Sequence, residues 1–153
     1  MSAALSRAGS VIARLLSAGF ATAVALLLGG CAHGMLGPLP PVDPAQAAEI
    51  VVIRPSGFVG CGGPLPVTVD GHDAYGLACG EHVILTVLAG ERIIGVKHWT
   101  WFVTDENTTA LSVAARRRYY LRLDVSGFGG PVLNRITEET GRALVEKTTR
   151  LTP

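Results

Sequence analysis

The sequence lacks any decisive excess of charge. Its 153 residues carry 13 Lys and Arg against 12 Asp and Glu, a formal net charge of +1. A nucleic-acid partner drawn in by a basic surplus is therefore not expected, and there is no acidic tail. The short motifs that carry chemistry are also missing. There is no H-E-x-x-H, P-loop or dinucleotide fingerprint. Ser56 and Ser126 each precede a glycine but lack the leading glycine of a nucleophile elbow. There are only three cysteines, none in a C-x-x-C, and no histidine stands at zinc-finger spacing from them. The apolar run 15–28 falls short of the ~20 residues that a membrane-spanning helix needs.

What is there begins at the N-terminus. Residues 1–14 hold Arg7 and Arg14 and no acid, and the apolar run that follows ends at Leu28-Gly29-Gly30-Cys31. This ending resembles the lipobox of bacterial lipoproteins, in which an aliphatic residue and two small ones precede an obligatory cysteine. The alternatives are an ordinary secretory signal or an uncleaved anchor, but no Ala-x-Ala site lies in better register between Val24 and Ala32. The resemblance implies removal of 1–30 as a lipoprotein signal peptide. It also implies a diacylglyceryl group on Cys31 and, with further acylation, a stable hold on the bilayer. Ala32 occupies the position where an aspartate would suggest inner-membrane retention, so the outer membrane, facing the periplasm, is the expected address.

The mature chain is then close to neutral and large enough for one domain with one core. Residues 31–48 read as the lipidated cysteine and a Pro/Gly-rich tether. Its prolines lack donors and its glycines lack restraint, so neither a helix nor a sheet ladder is expected. Cys61 and Cys79 are an even remainder in an oxidising compartment, which favours one disulfide over free thiols or a metal or redox pair.

From residue 49 onward the pattern is of short strands between turns. Residues 50–53 are a β-branched run. Residues 66–69 lead into the hairpin signal Asp70-Gly71, with 74–78 returning. Strands are expected at 82–88, 92–96, 99–104, 111–113, 118–125 and 132–136, with a polar break at 105–107. In 118–125, Tyr119, Leu121, Leu123 and Val125 share one face, with Tyr120, Arg122 and Asp124 opposite. Thr137 then opens a short helix with Glu138 and Glu139 in its first turn. Its inner side is expected to hold Ile136, Thr140, Ala143 and Leu144, and Gly141 weakens it. The fold class is mostly β: a small antiparallel β-sandwich of seven or eight strands with a short C-terminal helix, spanning 49–147 and followed by a tail, 148–153.

Ile53-Arg54, Val67-Thr68-Val69-Asp70-Gly71, Gly76, Leu88-Ala89-Gly90-Glu91 and Tyr119-Tyr120-Leu121, in this order behind a lipobox, resemble a group of small envelope lipoproteins. These carry a domain of unknown function akin to PEGA and carboxypeptidase-regulatory-like β-sandwiches. The resemblance implies a sandwich and an envelope location, and supplies no catalytic residue. Candidate sites come from the residues themselves. His72, His82 and His98 lack His-x-His or His-x3-His spacing, so no metal site is assigned, and no cofactor. Arg116-Arg117-Arg118 can touch phosphate groups; the alternative, that these charges keep a strand edge wet, is favoured. Two glycine-rich loops each display a phenylalanine, Phe58 and Phe128; with Trp99 or Trp101 nearby they would make an aromatic binding patch, against the alternative of rings packed in the core. The expected function is non-catalytic: an envelope lipoprotein held to the bilayer through acylated Cys31 that binds or scaffolds an envelope protein or glycan. A periplasmic hydrolase or metal-binding enzyme and a structural subunit of an envelope or secretion assembly are the alternatives.

Overall fold

The computed structural model describes residues 33–57, 60–99, 104–126 and 130–152. Among them run β1 (Gly34–Met35), β2 (Ala47–Arg54), β3 (Leu65–Val69), β4 (His72–Leu77), β5 (Glu81–Leu88), β6 (Gly90–Trp99), β7 (Thr104–Val113), β8 (Arg118–Ser126), β9 (Gly130–Ile136), α1 (Glu138–Val145) and β10 (Thr149–Arg150). They form two five-stranded sheets, ordered β1-β4-β3-β6-β7 and β10-β5-β2-β8-β9. The result is a small β-sandwich with a C-terminal helix, richer in strands than the seven or eight expected. It is not wholly antiparallel, since β2 pairs with β8, and β5 with β10, in parallel.

The core follows from alternation. Ile50, Val52, Val67, Leu85, Ile94, Val96 and Leu121 fill the space between the sheets. In β2 the run is apolar without alternation because both faces are covered. Val51 and Ile53 turn outward into a second cluster with Tyr120, Ile136, Leu144 and Val145, beneath α1. Tyr120, expected to face out with Arg122 and Asp124, is therefore buried. A side chain at Gly141 would run into the Tyr120 ring, so the glycine that weakens α1 locally is what lets it lie close. Thr140 and Ala143, expected on the inner side, are exposed. The start of α1 is as read: Thr137 Oγ1 accepts from Thr140 N–H at 3.3 Å.

Two expected interruptions are absent. Residues 105–107 sit inside β7, where Glu106 pairs with Lys97 and Asn107 with Val96. Their polar side chains have partners: Thr68 Oγ1 donates to Glu106, and Asn107 Nδ2 donates to the Pro131 carbonyl at 2.6 Å. The break expected between 92–96 and 99 is also absent, β6 running unbroken to Trp99.

Sheet edges are covered in ways the pattern did not show. Asn107 and Thr109 of β7 donate to the carbonyls of Pro131 and Leu133 on β9, which draws two edge strands of opposite sheets together and occupies acceptors that a foreign strand would use. On the other side, β1 covers β4 and β10 covers β5. Two regions read as lying outside the domain are therefore part of it. Gly34 and Met35 pair with Gly76 and Tyr75, Leu36 and Gly37 donate to the Ala74 carbonyl, and Leu39 and Leu151 pack on the core. Residues 33–46 run along the sandwich rather than standing clear of it, because a neighbour supplies the ladder that their prolines and glycines cannot build alone.

Candidate functional site

Chain crossings between sheets sort the molecule into two ends. At one end lie the crossings 55–64 and 78–80, the end of β6 and the start of β7, and the junction of β8 with β9. At the other lie the Asp70-Gly71 turn, the corner at Ala89 and the crossing 114–117.

The first end is held from inside by Arg54. Its side chain is 2 % exposed. The guanidinium donates to the carbonyls of Gly63 at 2.9 Å, of Leu77 and of Gly60. It thus ties the 55–64 crossing and the end of β4 to the end of β2, with no ion pair among the described residues, and burial pulls its pKa down while nearby Glu81 opposes that. The Cys61–Cys79 disulfide joins the same two crossings covalently, with Cα atoms 5.5 Å apart. Closing such a loop stabilises by roughly 3 kcal/mol on the chain-entropy account. Close packing knits the remaining connections to this end: a side chain at Gly60 would strike Val125, and one at Gly130 would strike His98.

Around this scaffold opens a cavity of about 640 Å³ lined by Arg54, Gly60, Pro64, His98, Trp99 and Thr104. Among the described residues, Arg54 Nε and His98 Nδ1 are buried without a hydrogen-bond partner. Trp99 is 78 % exposed and does not pack into the core. Of the expected aromatic patch, Trp99 stands at this end; Phe58, Trp101 and Phe128 lie outside the described residues, as does Cys31.

At the second end the Asp-Gly turn is as read. Asp70 and Gly71 both adopt positive φ, 50° and 81°, as a type I′ hairpin requires. Asp70 also ties β6 into the turn, accepting from Ile93 N–H at 2.9 Å and Arg92 Nη1 at 2.7 Å. Desolvation works against its charge, but these donors outweigh it and hold the carboxyl below its usual range.

At the same end, on the sheet that carries β2 and β8, lies a groove of about 520 Å³ lined chiefly by Arg116, Arg117, Arg118, Arg142, Glu49 and Glu138. Arg118 pairs with Glu49 and Arg142 with Glu138, whereas Arg116 and Arg117 have no ion-pair partner among the described residues. Arg116 sits at φ 60°, a left-handed conformation that side chains other than glycine resist by about 1–2 kcal/mol. The 114–117 crossing is fixed by Arg116 N–H donating to the Ala47 carbonyl, and by Tyr119 hydroxyl accepting from Ala114 N–H at 2.9 Å. Arg135 lies over the Tyr119 ring, 5.3 Å from its centroid. The strand that follows the three arginines is β8, flanked by β2 and β9. β2 pairs with Arg118–Arg122, and β9 pairs from Tyr120 onward, so the strand is flanked on both sides only beyond the arginines.

The three histidines are not brought together. His72 is exposed at the Asp70-Gly71 turn, His82 is buried on β5 and His98 lines the cavity at the first end. His82 Nδ1 and Thr148 Oγ1 are hydrogen-bonded at 2.8 Å, and Thr148 Oγ1 is also 3.0 Å from the Leu144 carbonyl. Among the described residues no group of three or more His, Cys, Asp or Glu is arranged to hold a metal ion, and no helix is long and apolar enough to cross a membrane. Arg54, Arg135 and Arg142 were missed in the sequence. Only Arg54 left a trace there, as a charge closing an apolar run just before a proline and a glycine-rich loop. No protein-family model, no curated protein sequence and no solved structure matches the chain.

Proposed function

We propose that this is a lipoprotein of the cell envelope, acylated on Cys31 at the outer membrane, whose folded part is a non-catalytic binding or scaffolding module. One observation carries the reading: a short apolar run ends in Leu28-Gly29-Gly30-Cys31 immediately ahead of a β domain that bears a cystine. A disulfide suits a compartment outside the cytoplasm. The likeness to PEGA-type sandwiches, read from the order of sequence motifs, agrees with an accessory role.

The surface that best supports binding is the groove at Arg116 and Arg117. Two guanidinium groups without counter-ions, fixed on a braced crossing, suit oxyanions such as carboxylates or phosphates on an envelope protein or glycan. The strained backbone at Arg116 is more readily explained by recognition than by stability.

Intact mass of the protein from membranes tests the anchor. A chain beginning at Cys31 with acyl mass is expected, and a Cys31→Ser variant should move to the soluble fraction; an unmodified start elsewhere overturns the reading. A photo-crosslinker at Arg117 in living cells tests the groove. It should capture one partner, and an Arg116→Glu, Arg117→Glu background should abolish the capture; capture unaffected by charge reversal sinks the groove as the site.

A further inference from the structure

We infer that the end of the sandwich bearing Trp99 is the face laid against the bilayer to which Cys31 is anchored, with the Trp99 indole seated among the lipid headgroups. This rests on the acylation of Cys31 proposed above. Cys31 has little reach. Only Ala32 separates Cys31 from His33, and two residues span at most about 7 Å. His33 is not on a loose leash: its Nε2 lies 2.7 Å from Glu81 Oε1, and the next two residues are in β1. The lipid is therefore attached almost directly to the folded domain.

Where it is attached decides the orientation. Glu81 is paired with Arg54 across β5 and β2, and Arg54 lines the cavity that Trp99 also lines. By register, Gly34 stands beside Gly76, Leu77 beside Leu65, and Val67 beside Val96, which puts His33 at the level of His98 and Trp99. Three strand spacings separate β1 from β6, about 15 Å across the end. The groove at Arg116 is at the opposite end, about 25 Å away along a strand the length of β2.

Four of the connections at the anchored end, 55–64, 78–80, 100–103 and 127–129, contain no Asp, Glu, Lys or Arg, whereas 146–148, which meets this end where Thr149 N–H donates to the Gly80 carbonyl, carries Glu146 and Lys147. The other end carries Asp70, Arg116 and Arg117 in its turns. Tryptophan favours the headgroup region, where its ring is sheltered and its N–H stays hydrated. An end with an exposed indole and mostly uncharged loops, within reach of a covalent lipid, is therefore suited to meet the bilayer.

The acylated protein in vesicles provides the test. In a Trp101→Phe variant, Trp99 is the sole tryptophan of the mature chain. In phosphatidylcholine vesicles whose chains are brominated near the headgroup, its emission should fall at least twofold relative to unbrominated vesicles. A fluorophore on Arg117→Cys should be insensitive to bromine and open to aqueous iodide. Should Trp101→Phe not fold, a nitroxide on Trp99→Cys gives the same depth by its accessibility to oxygen against a water-soluble nickel complex. Protein that carries acyl mass and floats with the vesicles, yet shows an unquenched Trp99 or a water-exposed nitroxide, overturns the orientation alone. Protein with no acyl mass that fails to float overturns the anchor, and the orientation with it.

Discussion

The two ends of this sandwich are stabilised by different physics. At the Trp99 end the crossing 55–64 is long and glycine-rich, and it is braced by Arg54 from within and by a disulfide to the short crossing 78–80. At the Arg116 end the connections are short and rest on hydrogen bonds: Asp70 accepts from Ile93 N–H on β6, Ala114 N–H donates to the Tyr119 hydroxyl, and Arg116 N–H donates to the Ala47 carbonyl on β2. A long uncharged loop needs an external brace because its own residues cannot offset its conformational entropy. A short turn needs only the right dihedral angles. The first end is thus held by a buried guanidinium and a covalent bridge, and the second by turn dihedrals and hydrogen bonds, with one residue, Arg116, held against its own preference.

The largest effect that would break this contrast is at Arg54. Arg54→Ala leaves three carbonyls short of their donor in a closed space and should cost about 4 kcal/mol, read as a fall in the midpoint of urea unfolding; a change below 1 kcal/mol would mean the crossings hold without it. The double variant Cys61→Ser, Cys79→Ser should cost about 3 kcal/mol, and thermal unfolding of oxidised and reduced wild type should show the same difference. If both were small, the two ends would not differ in kind.

At the opposite end the sign reverses. Arg116→Gly relieves the left-handed backbone and should raise stability by about 0.5 kcal/mol, the gain being trimmed by the freedom glycine adds to the unfolded chain. Partner capture should weaken in the same variant. Loss of stability there would show that Arg116 is structural.

The smallest effect is a pH dependence at His82. Burial, and then the charge of Arg150, lower its pKa in the folded state, against the pull of Thr148. The unfolded chain then binds the proton more readily, so the stabilisation is complete above the usual histidine value of 6.5 and declines as pH falls below it. The slope of unfolding free energy between pH 7 and pH 5 should flatten in His82→Gln; an unchanged slope would place the titration elsewhere.

Much of the scaffold was legible because strands announce themselves by neighbours. The β-branched run 50–53, the Asp70-Gly71 hairpin, the alternation of 118–125 and the Thr137 cap all depend on residues a few positions apart, and each lies in the expected kind of element. What escaped detection depended on distant partners. The polar stretch 105–107 reads as a break until Thr68, Lys97 and Pro131 are set beside it. Residues 33–37 read as a tether until β4 offers them a ladder. Tyr120 reads as outward until α1 covers it.

The sequence by itself determined the class of fold, the hairpin and the helix cap, because periodicity and turn dihedrals are local properties. Tertiary structure alone decided that Arg54 is a buried brace, that Arg116 and Arg117 line a groove, and that His33 joins the domain at the Trp99 end. Burial, exposure and proximity are relations between segments far apart in the chain, and only packing brings those segments together.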